Sequence, residues 1–549
     1  CSYSGEALDK KTPLLRSMEV INEQAMRILR LFGDTTATRV ITTVGAEQEY
    51  FLVDKAVYDK REDLIFAGRT LFGAKAPKGQ EMDDHYFGSL KERVSEYMKE
   101  LDCELWKLGI LSKTRHNEAA PAQHELAPIY TTANIAADQN QLIMDVMKKL
   151  ARKHGFVCLL HEKPFAGVNG SGKHNNWALV TNDGQNLLEP GKSPSSNFRF
   201  LTFLCAIIKG VDEYADLLRI SVASAGNDHR LGAAEAPPAI VSIFLGDELQ
   251  KIVEALESGK LIKSNKKKEF VIGVEALPNF PKDTTDRNRT SPFAFTGNKF
   301  EFRSLGSADS ISCSNVMLNT IVAYELCQFA DRLEKADDFT KELNKLLAET
   351  LKKHKRVIFN GNNYSEEWVK EAEKRGLKNY PTTVDCLPHY ADDKNIEMFE
   401  KFKIFTKSEV QSRYEILIEN YSKLIKIEAL TMIDMAKKEI LPAGIEFTKT
   451  LCDTVSSKKE IGLSGGAEEK LASRLSYLTD KLFEEIETLE EKTNKASAIS
   501  DSLKLAEFCR DEIIPAMNEM RLSADEMETI VPEKLWPFPT YGELLFGVQ

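Results

Sequence analysis

No apolar run in this chain approaches the roughly 20 residues that a helix needs to cross a bilayer, and its first residues lack a signal-peptide pattern. Metal-type and disulfide-type cysteine spacing is missing too. Nine cysteines are scattered over 549 residues without one C-x-x-C pair, which suits reduced thiols in the cytoplasm. Positive charge is in deficit, with 73 Lys and Arg against 84 Asp and Glu and a formal net charge of −11. That balance excludes the basic footprint a nucleic acid requires. It leaves room for a nucleotide substrate, which needs only a local cluster of cations. An initiator methionine is absent as well: the chain opens mid-pattern on "CSYSGEALDKK", and an upstream segment is expected before it.

What is present reads as an ordinary globular composition, 42% hydrophobic and 29% charged, long enough for several domains. Residues 1–40 hold a helical lead-in, "TPLLRSMEVINEQAMRILRLFG", stopped by Gly33. Residues 41–330 mix strand patterns ("RVITTVGAEQEYFLVD", "QHELAPIYTT", "FVCLLHEKPF", "NNWALVTN", "NKFEFRS") with an amphipathic helix, "NQLIMDVMKKLARKHG". Residues 331–549 are mostly helical. There Leu471, Leu475, Leu478, Leu482, Ile486 and Leu489 recur at steps of three and four, the stripe of a helix-bundle core. The apolar "LWPFPTYGELLFG" reads as a tail that docks on a surface. The expected fold class is α+β, with an antiparallel active-site sheet followed by a helical C-terminal domain.

The acids carry the chemistry. Glu47 and Glu49 stand at i, i+2 on one strand, so both carboxylates leave the same face. Glu118 and Glu125 are isolated among Ala and Pro in "NEAAPAQHELAPIY". In "TGNKFEFRSLG", Glu301 shares a strand face with Lys299 and Arg303, while Phe300 and Phe302 take the other. Each strand alone is compatible with a wetted face. If the five acids converge, each pair at about 4 Å repels by about 4 kcal/mol at an effective dielectric near 20, so cations must lie among them. Carboxylate oxygens with one imidazole suit Mg²⁺ or Mn²⁺ rather than zinc, and such ions point to phosphoryl transfer.

"GVNGSGKH", residues 167–174, imitates the front of a phosphate-binding P-loop. The residue after Lys173 is His174 instead of Ser or Thr, and a strand pattern follows where a helix should start. The segment reads instead as an Asn-Gly hairpin turn between "LLHEKPF" and "HNNWALV", projecting His174. His116, His124 and His161 read as structural.

Taken in order, E-x-E, E-x6-E, K-P-F…N-G-S-G-x-H, an R…E loop, N-R-T and K-x-E-x-R resemble the active-site strands of the glutamine synthetases. "NDHRLGAAEAPPAI", "NRTSPFAFTGNKFEFRSLGS" and "WPFPTYGELLF" resemble the long, type III branch over essentially the whole chain. The resemblance implies ligation of ammonia to glutamate through γ-glutamyl phosphate at the expense of ATP. It implies one Mg²⁺ or Mn²⁺ on Glu49, Glu118 and Glu125 and another on Glu47, His174 and Glu301. Asn169 and Gly170 would receive glutamate's amino end and Arg230 its carboxylate. Glu235 would sit on a closing flap that helps bind ammonium. Arg289 and Arg303 would stabilise phosphoryl charge, with Lys299, Tyr130 and Asn176 near the nucleotide. The family also implies a dodecamer of two hexameric rings, with an N-terminal β-grasp domain that this chain does not show. Departures from the pattern are Ala294 and Ala178, where many relatives carry Arg and Ser. Two alternatives stay open: a ligase for a larger amine, and a silent assembly protein keeping the fold.

Overall fold

The computed structural model describes residues 5–232, 236–257, 269–270, 280–281 and 290–548. Its strands are β1 (Val40–Asp54), β2 (Ser112–Asn117), β3 (Gln123–Pro128), β4 (Thr131–Thr132), β5 (Phe156–Leu159), β6 (Gly172–Thr181), β7 (Ile243–Phe244), β8 (Glu269–Phe270), β9 (Phe280–Pro281), β10 (Phe293–Phe295) and β11 (Phe300–Gly306). β8 and β9 pair by themselves. The rest form one sheet in the order β2-β3-β1-β6-β11-β10-β7, with β4 and β5 also bonded to β1. All its pairings are antiparallel except β10 with β7.

β1 organises the sheet because its sequence is rich in β-branched and aromatic residues, which fit a pleated, packed surface, and because both its faces are covered. One face carries Val44, Ala46, Trp177, Phe300 and Phe302, all buried in the main core with Leu14, Ile21, Leu318 and Ile321. Those last four come from helices Lys11–Leu31 and Ser312–Leu333. Trp177 Nε1 donates to Asn319 Oδ1 at 2.9 Å, fixing the sheet on the second helix. The opposite face carries the acids at one end. At the other end it buries Phe51 and Val53 against Tyr541, Leu544 and Leu545 of the C-terminal tail.

β5 and β6 do not form the expected hairpin. They follow each other along one edge of β1, β6 against Val40–Gln48 and β5 against Phe51–Asp54. A 15-residue strand is long enough to serve both. The positive φ lies at Gly167, not at Asn169 or Gly170, so the two-residue turn that an Asn-Gly pair favours is not made. Gly170 serves close approach instead: a Cβ there would stand 2.4 Å from the carbonyl of Glu162. The strand after the glycines confirms that this is no P-loop.

In the helical part, Leu475, Leu478, Leu482, Ile486 and Leu489 of helix Gly466–Ala496 are buried as expected. Leu471 is 41% exposed, because the buried seam steps back from Leu475 by three, to Ala472, rather than by four. The tail docks as expected. Arg61, fully buried, makes two bonds to Asp63 (3.0 and 2.6 Å) and donates to the carbonyls of Phe72 and Pro539 at 2.6 and 2.8 Å. Its guanidinium lies 4.4 Å from the Phe538 ring. Tyr541 OH meets Thr70 Oγ1 at 2.7 Å, and Gly73 leaves room for its ring, which a Cβ would approach to 2.2 Å.

Removing one partner of a buried ion pair strands the other. Arg61→Ala is therefore expected to cost about 3–5 kcal/mol and to release the tail to proteolysis, while Arg61→Ala with Asp63→Ala costs less than the sum. Thermal melting with limited tryptic digestion checks both; an unchanged melting temperature in Arg61→Ala contradicts the anchoring role.

Candidate active site

Strand register assembles the site. Across β1, Glu47 lies opposite His174 of β6 and Glu49 opposite Glu125 of β3. Asn176 of β6 lies opposite Glu301 of β11, and His116 of β2 opposite Glu125. Period two then puts Glu47, Glu49, His174, Asn176, Glu301 and Arg303 on one face, with the phenylalanines of β11 behind.

His174 is the hub. Its Nδ1 lies 3.2 Å from Glu47 and 3.1 Å from Glu301, and its Nε2 lies 3.8 Å from Glu49. Glu49 also accepts from the Gly172 amide at 2.7 Å, and Asn176 Nδ2 donates to Glu47 at 3.1 Å. Arg303, buried, donates to Glu301 at 2.7 Å. Glu118 and Glu125 are joined by His116, whose Nε2 stands 2.8 and 3.1 Å from them. Three groups have ligand atoms within 4.8 Å of one another: Glu47–His174–Glu301, Glu49–Glu125–His174 and His116–Glu118–Glu125. The expected second set is thus together as named. In the first, Glu49 and Glu118 each share Glu125, one group including His174 and the other His116.

His116 was not expected here. The signal was available: His116 and Glu118 stand at i, i+2, the spacing that paired Glu47 with Glu49. His124 is buried and His161 half-buried, neither in a group with the acids, and desolvation lowers both imidazoles, His161 to about 3.

Five of the remaining candidates lie among the described residues. Asn169 is buried and exchanges two bonds with Gln80, at 2.7 and 3.0 Å. The Gly170 carbonyl accepts from Gln123 at 2.8 Å. Arg230 is buried behind Gly172 and donates to the carbonyls of Leu305 and Arg303, both at 3.2 Å. Lys299 is half-buried in the β10–β11 turn. Tyr130 is 68% exposed, its Cβ packed over Gly45. Glu235 and Arg289 lie outside the described residues.

Comparison with known proteins identifies the family. The description "Glutamine synthetase, catalytic domain" matches residues 27–238, and "Glutamine synthetase C-terminal domain" matches residues 342–459. A glutamine synthetase of Butyrivibrio fibrisolvens is 50% identical over 100% of this chain and 79% of its own length. The chain belongs to the glutamine synthetase family. A type-3 glutamine synthetase of Dictyostelium discoideum is 47% identical over 100% of this chain and 76% of its own. A glutamine synthetase of Bacteroides fragilis (strain YCH46) is 42% identical over 99% and 76%.

Burial and close contact shift the titration of several groups in this glutamine synthetase-family site. Burial, with the Glu118 carboxylate nearby, raises Glu49 from its ordinary value against the opposing charges of His174 and Arg230. Burial also pushes Glu125 up to about 7 against the opposing bond from His116. Burial pulls the His174 imidazole down, but Glu301 and Glu47 outweigh it and hold the ring well above its ordinary value. Hydrogen bonds that the Glu118 and Glu125 carboxylates accept from its ring raise His116 to about 10. Glu301 is held low by His174 and Arg303 despite its burial. Metal ligands must shed such protons to bind.

The sign follows from linkage. Glu125 and His116 both titrate higher in the folded protein than their ordinary 4.5 and 6.5. Their contribution to stability is full below those ordinary values and is lost as pH rises through about 7 and about 10. Glu301, shifted the other way, contributes fully above its ordinary 4.5 and loses that contribution only as pH falls below it. Mg²⁺ or Mn²⁺ should therefore raise the melting temperature more at about pH 8 than at about pH 6, and its binding should release protons. Melting curves and calorimetry in two buffers of different ionisation enthalpy test this. A pH-independent gain without proton release contradicts cation binding at these acids.

Proposed function

We propose that this chain makes glutamine from glutamate and ammonia with ATP, through γ-glutamyl phosphate, and that the site above is where it does so. The observation that carries the reading is the meeting of Glu47, His174 and Glu301 from three strands, with Glu49 and Glu125 beside them. The donor set fits a hard divalent cation: carboxylate oxygens and one imidazole in each group, no thiolate among them. Glu47, His174 and Glu301 would hold one such ion, and Glu49, Glu118 and Glu125 a second. Bound there, the ions supply positive charge to the phosphate oxygens.

The protein's own residues do the rest. Arg303, already fixed by Glu301, adds a preorganised positive charge beside the phosphoryl group, which needs no reorganisation as negative charge develops. Arg289 is proposed for the same charge. Lys299 and Tyr130, at the rim, suit the nucleotide, and Asn176 orients Glu47 below it. Asn169 and Gly170 border the place for glutamate's amino end, Gln80 and Gln123 holding their polar groups. Arg230 reaches the substrate carboxylate only by leaving the carbonyls of Leu305 and Arg303. Glu235 is proposed for ammonium and for excluding water, since an acyl phosphate hydrolyses in a wet site. The resemblance also supports a cytoplasmic dodecamer of two rings.

Coupled phosphate release from ATP, glutamate and Mg²⁺ tests the reading, with ammonia set against methylamine and polyamines. Turnover with ammonia is expected; turnover with larger amines alone selects the other ligase. Glu301→Ala should lower the rate at least about a hundredfold with an unchanged size-exclusion profile, and full activity refutes the role of Glu301.

A further inference from the structure

Four consecutive residues, Asn227 to Arg230, are gripped from two sides. Asn227 and Arg230 face β11. Asn227 Nδ2 donates to the Ser304 carbonyl at 2.8 Å, and Arg230 donates to the carbonyls of Arg303 and Leu305. Asp228 and His229 face the helical C-terminal part. Asp228 accepts the Thr383 amide at 2.7 Å and the Thr383 hydroxyl at 2.9 Å, with Arg219 at 2.8 Å on the same carboxylate. His229 lies 3.9 Å from Glu428, itself held in two bonds by Arg69 at 2.8 and 2.7 Å.

Thr383 begins helix Thr383–Cys386, so its amide is one of the donors a helix leaves unmatched at its start, and a carboxylate is favoured there. A capping box of Thr382 and Asp385 fixes that start, and Arg510 donates to Asp385 at 2.8 Å. The helix is therefore held in place before it touches Asp228. At the other end of the grip, Arg230 fills the space over two glycines. A Cβ on Gly172 would meet its guanidinium at 2.2 Å, and one on Gly170 would meet its Cγ at 3.1 Å.

We propose that Thr383 is a positioning residue for glutamate: through Asp228 it holds the Asn227–Arg230 turn, and thereby Arg230 and the Gly170 loop beneath it. The helical C-terminal part thus takes part in substrate binding without touching the substrate. The inference rests on reading Arg230 and Gly170 as the glutamate side of the site.

Thr383→Val keeps the shape and removes the hydroxyl bond. In the full-length protein it should raise KM for glutamate about three- to tenfold, the scale of one hydrogen bond to a charged acceptor passed on in part. KM for ATP and kcat should move less than about twofold, and Thr383→Ser should restore KM. Hydrogen exchange of the amides of residues 222–230 should quicken in the Val variant and not in the Ser variant. Equal rises in both KM values, or unchanged exchange at 222–230, overturn the proposal. If the unmutated protein fails to use glutamate, the ligase reading fails, and the exchange comparison alone then decides the clasp.

Discussion

Carboxylates crowded on one sheet face are the constraint from which the rest of the structure follows. Glu47, Glu49, Glu125 and Glu301 come from three strands, and antiparallel register brings them within reach of one imidazole. Their repulsion would spread an unsupported sheet. Here the opposite face is sealed by Trp177, Phe300 and Phe302 against two long helices, so apolar burial on one side holds together what electrostatics pushes apart on the other. Arg303 and His174 lower the cost from within.

That division of labour explains why so much of the site was legible. A period of two is a property of the strand itself, so the sequence alone separates Glu301 and Arg303 from the phenylalanines, and places Glu47 and Glu49 together. Neighbourhood between strands is not local. The Asn-Gly pair at 169–170 has the composition of a hairpin, yet β5 and β6 pair with a third strand whose length decides the matter. His116 was passed over because a single histidine says nothing until Glu125 is known to lie across from it. Leu471 and Ala472 compete for the same seam, and only the partner helix selects Ala472.

The helical part reads from sequence as a bundle and nothing more, since a leucine stripe encodes burial without naming what is met outside the bundle. Beside the apolar docking of the tail, its attachments to the rest of the chain include polar ones far apart in sequence: Glu428 with Arg69, and Thr383 with Asp228. Each is a pair of bonds between defined atoms, so they specify orientation where a hydrophobic patch would only specify contact.

The tail gives the fold a temporal order. Arg61 and Asp63 are two residues apart, but the carbonyl of Pro539 and the ring of Phe538 that complete their burial come 478 and 477 residues after Arg61. Chains fold from the N-terminus as they leave the ribosome, so during translation this ion pair waits half-covered, and the acid-bearing sheet stays open at one end until Tyr541 arrives. Burial of this ion pair therefore depends on the segment that carries Phe538, Pro539 and Tyr541, and a fragment cut short of it leaves Arg61 and Asp63 half-covered.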